Sequence, residues 1–298
     1  MAKVGQWKNE AARDAYMEAY AALSALWTIP SSEFDIETSY GTTHVRKCGS
    51  GAGAPLVLIH PLGGNGACWY PIIERLAAER TIYALDTIGA PGLSVQTEPI
   101  TSGADYGIWL DETLEALGLP QAHVMGYSDG GWRAFMAGVD GSDKVASLMI
   151  VESGGAVAKT PWRVLFKMIR YAMPPSEKNM RKAAEWAMPG SVVVDEEIAC
   201  SRAALGYRTR TPWPQRLTDE QLRTITAPTL LVYGSESVLG DPTEATTRAV
   251  AHIPSCEVEI YPGATHGLLF QGPFKDAVLE RILRFASAHD PAELRLAD

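Results

Sequence analysis

The chain contains 298 residues, and 26 basic against 35 acidic side chains give it a formal net charge of −9. Apolar residues make up 46% and charged residues 20% of the sequence, a composition that is typical of folded proteins and too apolar for a disordered chain. The acidic balance, without a lysine or arginine cluster, argues against nucleic-acid binding. The apolar runs are much shorter than the roughly 20 residues of a transmembrane helix, so no membrane partner is predicted.

The N-terminal residues and the cysteines indicate the cellular compartment of the protein. Residues 1–10 include lysines, but no apolar segment with a small-residue cleavage site follows them, so no secretory signal is predicted. The four cysteines are Cys48, Cys68, Cys200 and Cys256. They are scattered without a CxxC pair, which suits neither a zinc site nor a disulfide framework. We therefore expect reduced thiols, a cytoplasmic protein, and no metal or other cofactor.

A helix is predicted over residues 9–27, where aromatic and leucine side chains recur at helical spacing. Two strands, 34–40 and 42–47, follow around a turn at Gly41. Short apolar runs, typical of strands buried on both faces, then alternate with helices. The further strands are predicted at 56–59, 81–85, 122–127, 145–151, 229–233 and 257–261, and the further helices at 71–80, 105–117, 130–139, 243–252 and 274–288.

This alternation predicts an α/β fold with a mostly parallel, doubly wound sheet, in which the first two strands form an antiparallel edge. The segment 154–223 breaks the alternation and is rich in tryptophan, methionine, proline and arginine, which indicates a helical cap over the sheet. The predicted parts are an N-terminal helical extension (1–30), a core (31–153 and 224–298) and the cap. The extension has two interpretations: it covers the sheet edge or an apolar face, or it mediates a homodimer.

One glycine-rich turn indicates a nucleophile. A predicted strand runs into Gly126-Tyr-Ser-Asp-Gly-Gly131 and then into a helix, which is a G-x-S-x-G pattern in a strand–turn–helix setting. Side chains larger than glycine would collide in so sharp a turn, which lifts the Ser128 hydroxyl out of the sheet. The Asp129 N–H then lies at a helix N-terminus, facing a developing negative charge. The bare pattern is weakly specific, but the preceding buried strand favours Ser128 as a nucleophile over a purely structural turn.

Two further segments complete the predicted site. The turn His60-Pro-Leu-Gly-Gly64 follows another buried strand, and reactive groups gather outside the carboxyl ends of parallel strands. The Leu62 N–H is therefore predicted to join that of Asp129 in an oxyanion hole. A serine nucleophile needs a base, and of six histidines only His266 lies in a glycine-bounded loop after the last strand. We predict His266 as the base and His60 as a packed, hydrogen-bonded residue.

Together these turns resemble those of the α/β-hydrolase superfamily, from about residue 34 to the C-terminal helix. The segment Asp86-Thr-Ile-Gly-Ala-Pro-Gly-Leu-Ser94 resembles the Asp-x-x-Gly-x-Gly-x-Ser stretch of the same superfamily. The resemblance implies the fold and a catalytic triad, but it names no substrate.

The acid of the triad departs from the usual pattern. In most members it follows the second-last strand in a Gly-x-x-Asp setting, whereas this chain has Gly234-Ser-Glu-Ser237. Glu236 lies one position early and Asp241 four positions late. Glu152 ends the strand after the nucleophile, where haloalkane dehalogenases and some lipases keep their acid. We predict Glu152, with Asp241, Glu236 and no acid at all as alternatives. In a purely structural role, Glu152 would only bond backbone N–H groups.

The predicted function is a serine hydrolase acting on an ester, lactone or thioester of a small apolar or aromatic molecule through an acyl-enzyme. A serine in place of the aspartate nucleophile of dehalogenases favours acyl transfer. The cap would roof the pocket, although ordinary packing explains any single tryptophan or methionine there. One alternative is a C–C bond hydrolase or polyketide-tailoring enzyme with the same triad. Another is a non-catalytic small-molecule receptor, which the altered acid position supports.

Overall fold

The structure, a computed structural model, describes residues 3–172, 176–190, 192–270 and 272–292. The remaining residues of the predicted extension, cap and core lie outside these ranges. The described strands are β1 (Gln6–Trp7), β2 (Ser31–Thr38), β3 (Gly41–Cys48), β4 (Leu56–Ile59), β5 (Ile82–Leu85), β6 (Val95–Gln96), β7 (Ala122–Tyr127), β8 (Val145–Val151), β9 (Tyr207–Arg208), β10 (Thr229–Gly234) and β11 (Cys256–Tyr261). The described α-helices are α1 (Glu10–Ser24), α2 (Ile73–Ala77), α3 (Gly103–Ala116), α4 (Asp129–Val139), α5 (Gly154–Val157), α6 (Trp162–Ala172), α7 (Glu177–Ala187), α8 (Asp195–Ala204), α9 (Asp219–Thr224), α10 (Pro242–His252) and α11 (Lys275–Ala288).

The main sheet has the order β11-β10-β8-β7-β4-β5-β3-β2, with β6 paired beside β3. The strands from β11 to β5 in this order are parallel. Strand β3 is antiparallel to β5, to β2 and to β6. The predicted α/β class, with a mostly parallel sheet and an antiparallel edge, is therefore confirmed.

The central strands are buried on both faces. Every residue of β4, β5, β7 and β10 is buried, which is why these strands are continuous apolar runs without alternation. In β4, Val57 and Ile59 join an apolar cluster with residues of α3 and α4, whereas Leu56 and Leu58 join a cluster with residues of α2 and α11. Helices therefore cover the central strands on both sides, and the loops at the strand ends are left to carry a site.

The N-terminal extension ties the cap to the core. Helix α1 begins after Asn9, whose side chain accepts the Ala12 N–H as an N-cap, and it packs against α8 and the loop after β4. Asn65 of that loop donates to the Tyr16 hydroxyl at 3.1 Å and to Cys200 Sγ of α8 at 3.3 Å. The short strand β1 pairs with β9. The extension thus covers the junction between the cap helices and the loop that carries Leu62.

Helices α5 to α9 occupy the segment predicted as the cap, and the boundaries at residues 30, 153 and 223 stay predictions. All four cysteines lie in the described ranges and are free thiols, as predicted. Within the same ranges, no helix has the length and apolar character needed to cross a bilayer.

Candidate active site

Five neighbouring strands bring the predicted site residues to one rim of the sheet. Strands β4, β7, β8, β10 and β11 are parallel and adjacent, so the loops that follow them leave at the same edge. Leu62 follows β4, Ser128 follows β7, Glu152 follows β8 and His266 follows β11. The topology alone therefore gathers the predicted oxyanion loop, nucleophile, acid and base.

Ser128 lies in a strained turn. Its backbone has φ +55° and ψ −119°, a region that costs a non-glycine residue about 1–3 kcal/mol. A Cβ atom on Gly126 would lie 2.2 Å from the carbonyl oxygen of Gly130, and one on Gly130 would lie 2.1 Å from that of Ile59. Because the backbones approach so closely, glycine is required on both sides of the nucleophile. The turn leaves Ser128 in the wall of a cavity.

The Glu152 carboxylate holds the His266 imidazole. Glu152 Oε2 lies 2.9 Å from His266 Nδ1, and the two residues are 1% and 6% exposed. Opposite a carboxylate, Nδ1 carries the proton and Nε2 is left as the acceptor. Glu152 also accepts the Gly234 N–H at 2.5 Å and the Ser237 hydroxyl at 2.6 Å. Its own φ of +56° marks a second strained position at this rim.

The other two candidate acids are placed elsewhere. The Asp241 carboxylate caps α10 and accepts the N–H groups of Thr243 and Glu244 at 2.9 and 3.1 Å. Glu236 is exposed and accepts the Ser235 hydroxyl at 3.4 Å. Of the three candidates, Glu152 is the one bonded to the imidazole.

Tyr127, which sequence reasoning missed, contacts His266 through both its ring and its hydroxyl. Its ring stacks on the imidazole with centroids 5.1 Å apart and 28° between planes, and its hydroxyl donates to the His266 carbonyl at 2.5 Å. Among the described residues, no hydrogen bond joins the Ser128 hydroxyl to the imidazole; such bonds are often long before substrate binds. The aromatic residue directly before Ser128 was the available signal for this contact.

The N–H groups of Leu62 and Asp129 are available for an oxyanion. Neither N–H donates to an acceptor within the part of the chain that the structure describes, and both residues line the cavity that Ser128 lines. Asp129 is the first residue of α4, so the helix dipole adds to the positive potential there. The Asp129 carboxylate forms a buried ion pair with Arg133, which balances the negative charge of Asp129.

The cavity beside Ser128 has a volume of about 380 Å³, a size that suits a small organic molecule. Core and cap both supply apolar walls: Leu62, Trp132, Leu165, Met168, Trp213 and Leu239. Residues of the segment predicted as the cap therefore line this cavity, but not every aromatic residue of that segment does, since Trp186 lines a different cavity. A further cavity of about 300 Å³, which Leu62 also lines, lies against α7 and α8.

Two other polar residues of the rim support the loops. His60 is buried; its Nδ1 donates to the adjacent carbonyl at 2.9 Å, and its Nε2 accepts the Thr87 N–H at 3.0 Å. Burial lowers the pKa of His60 to about 3, so the ring is neutral, and the predicted packing role is confirmed. Asp86 accepts the Gly66 N–H at 2.6 Å. Within the described ranges, no cluster of three or more histidine, cysteine or acidic side chains could hold a metal ion.

The chain belongs to the α/β hydrolase family, whose family model matches residues 56–279. This match confirms the resemblance and the fold that the motifs predicted. The chain is 29% identical over 283 residues to the uncharacterized carboxylesterase nap of Bacillus subtilis (strain 168), covering 92% of both proteins. It is 26% identical to carboxylesterase YbfK of the same strain, covering 91% of this chain and 93% of the relative.

Solved structures match the fold of this chain. The crystal structure of naproxen esterase (carboxylesterase NP) from Bacillus subtilis matches with a TM-score of 0.84 at 27% identity, covering 92% of this chain and 98% of that one. A meta-cleavage product hydrolase from Pseudomonas fluorescens IP01 (CumD) matches with a TM-score of 0.70 at 20% identity, covering 86% and 97% of the two chains. This last likeness is one of fold alone.

Proposed function

We propose that this protein is a serine carboxylesterase that cleaves esters of small apolar or aromatic molecules through an acyl-enzyme. The class of carboxylic ester hydrolase follows from relatives that match almost the whole chain and are named carboxylesterases. The observation that carries the finer proposal is the buried hydrogen bond between Glu152 and His266, at the same rim as the strained Ser128 turn.

In the first half of the proposed reaction, Ser128 Oγ attacks the ester carbonyl while His266 Nε2 takes the hydroxyl proton. The carbonyl oxygen becomes an oxyanion that accepts hydrogen bonds from the N–H groups of Leu62 and Asp129. Glu152 stabilises the imidazolium through Nδ1. The imidazolium then gives its proton to the alcohol oxygen as the ester C–O bond breaks, and the acyl group stays on Ser128.

In the second half, water replaces the alcohol. His266 takes a proton from the water as its oxygen attacks the acyl carbonyl, and the same two N–H groups hold the new oxyanion. When the bond to Ser128 breaks, the imidazolium returns a proton to Oγ. The carboxylic acid leaves, and the free serine is restored. Lactones and thioesters present the same carbonyl and fit the same steps.

The cavity lining supports an apolar or aromatic substrate. Trp132 and Trp213 offer flat surfaces beside Ser128, and Leu165 and Met168 offer flexible aliphatic ones. Burying apolar substrate surface against such walls contributes about 25 cal/mol per Å².

The structure bears on both alternatives from the sequence. Support for a receptor came from the serine at the usual acid position, and the Glu152–His266 contact supports catalysis instead. A C–C bond hydrolase would use the same triad, but the likeness to such an enzyme extends to the fold only. We therefore favour ester hydrolysis. We also keep the proposal of a cytoplasmic location, which the free thiols support.

Hydrolysis of p-nitrophenyl esters by the wild type, Ser128→Ala and Ser50→Ala tests this proposal. Ser50 is exposed and lines a different cavity from Ser128, so its variant controls for loss of a serine hydroxyl outside the proposed site. We expect Ser128→Ala to lose more than about 10⁴-fold in kcat and Ser50→Ala to match the wild type. Full activity of Ser128→Ala contradicts the proposal. Turnover of a vinylogous diketone but not of esters supports the C–C hydrolase, and tight binding of esters without turnover supports the receptor.

A further inference from the structure

Ser237 is bonded to the same carboxylate oxygen as the imidazole. Its hydroxyl donates to Glu152 Oε2 at 2.6 Å, and that oxygen also lies 2.9 Å from His266 Nδ1. Glu152 follows β8 and Ser237 follows β10, which are neighbours in the sheet. One oxygen atom thus links a hydroxyl, a carboxylate and an imidazole that come from three separate loops.

We propose that Ser237 is a positioning residue, which orients the Glu152 carboxylate towards His266 and sets the pH range in which the imidazole acts as a base. This inference rests on the proposed function, in which His266 takes the Ser128 proton. The Gly234 N–H holds Glu152 Oε1, and Ser237 and His266 share Oε2. Without the Ser237 hydroxyl, Oε2 would be held by the imidazole alone, and the orientation of the carboxylate towards the imidazole would be less constrained.

The effect on pH follows from the charge on Oε2. A donated hydrogen bond draws electron density from the oxygen and weakens its attraction for the Nδ1 proton. When that bond is removed, the carboxylate stabilises the imidazolium more strongly. Only the neutral ring accepts the Ser128 proton, so the acid limb of the kcat/KM profile moves to higher pH.

Two tyrosines near the Glu152 carboxylate stay neutral. Burial, together with the charge of Glu152, raises the pKa of both Tyr127 and Tyr233, so these phenols stay neutral. Asp129 is neutralised by its ion pair with Arg133. Glu236, on the same loop as Ser237, is exposed. Three further charged residues line the same cavity as Ser237: Arg163, Lys167 and Asp241.

The chain offers two matched variants. Ser237 lines a cavity of about 640 Å³, so a threonine at this position has room for its extra methyl group and keeps the hydroxyl. Ser235 lies on the same loop and is exposed; its hydroxyl donates to Glu236 and accepts the Gly263 N–H, without contact to Glu152. Ser237→Thr therefore tests rescue by a hydroxyl, and Ser235→Ala tests loss of a neighbouring hydroxyl.

The experiment is the pH dependence of kcat and KM for p-nitrophenyl ester hydrolysis by the wild type, Ser237→Ala, Ser237→Thr and Ser235→Ala. Loss of a hydrogen bond to a charged group predicts about a tenfold fall in kcat for Ser237→Ala. It also predicts a rise of about 0.5 in the midpoint of its acid limb, with little change in KM. Ser237→Thr and Ser235→Ala are expected to follow the wild type, and circular dichroism checks that all variants are folded.

Two results overturn the inference: wild-type kcat and acid limb in Ser237→Ala, or equal defects in Ser237→Ala and Ser237→Thr. Ser128→Ala, assayed in parallel, separates this inference from the proposed function. If Ser128→Ala is inactive while Ser237→Ala behaves as wild type, the positioning role fails and the serine mechanism stands. If Ser128→Ala retains full activity, the serine mechanism itself fails.

Discussion

Replacing Glu152 by glutamine removes the negative charge opposite His266 and keeps the shape of the side chain. The carboxylate accepts three hydrogen bonds, from His266 Nδ1, the Gly234 N–H and the Ser237 hydroxyl. A glutamine amide has one oxygen acceptor, and its NH₂ group cannot accept a bond from Nδ1. The imidazole then favours the tautomer with the proton on Nε2, which cannot take the Ser128 proton.

The expected fall in kcat follows from the loss of both the Nδ1–H tautomer of His266 and the negative charge of Glu152. We expect kcat for p-nitrophenyl ester hydrolysis to fall by about 10³- to 10⁴-fold, equivalent to about 4–5.5 kcal/mol of transition-state stabilisation. The KM should stay within about threefold of wild type, because Glu152 is 1% exposed and offers the substrate little surface. Steady-state kinetics at about pH 8, with a urea unfolding curve for each variant, measure both quantities.

Asp241→Asn is the matched control, because it makes the same chemical change on an exposed carboxylate near the site. Asp241 caps α10, and asparagine is an equally good N-cap, so kcat and the free energy of unfolding should both stay near wild type. A larger loss of kcat in Asp241→Asn than in Glu152→Gln would refute the assignment of the acid, as would full activity of Glu152→Gln.

Further predictions concern stability. Tyr16→Phe removes an acceptor from buried Asn65 and should lower the free energy of unfolding by about 1–2 kcal/mol; an unchanged urea midpoint would argue against the proposed tie between extension and core. Asp129→Asn leaves the buried Arg133 charge unpaired and should cost about 3–5 kcal/mol, and a loss below about 1 kcal/mol would contradict a buried pair. Because burial lowers the pKa of His60 from 6.5 to about 3, its stabilising effect is complete above pH 6.5 and declines as the pH falls towards 3. The stability difference between wild type and His60→Gln should therefore shrink by up to about 1.4 kcal/mol per pH unit, whereas a constant difference would count against a neutral buried ring.

Much of the fold was predictable because the buried strands are short apolar runs that end in polar or glycine-rich turns. The predicted strands 56–59 and 122–127 coincide with β4 and β7. Helix ends were less predictable, since the predicted helix 71–80 forms only over Ile73–Ala77 and a 3₁₀ turn, Gly66–Trp69, precedes it. The pairing of β1 with β9 joins two-residue strands, which are too short to show any periodicity.

The position of a site residue could be predicted from the sequence when the strand order alone determines it. Ser128 and Glu152 come directly after the neighbouring strands β7 and β8, and His266 lies in the loop after β11, so their location at one rim follows from the strand order. The Ser237 contact could not be foreseen, because it depends on side-chain directions in two loops that are far apart in the chain, whereas the position of Tyr127 directly before Ser128 was a signal for its contact with His266. The role of the N-terminal helix likewise depends on the fit between its surface and that of α8, and neither segment reveals this fit by itself.

Covalent labelling of the wild-type protein with a fluorophosphonate tests the central claim most directly, since this reagent reacts with an activated serine hydroxyl. Mass spectrometry of the digested protein should find the phosphonyl group on the peptide that contains Ser128, and Ser128→Ala should take up no label. Label on a different residue, or an unlabelled protein that still hydrolyses esters, would contradict the account.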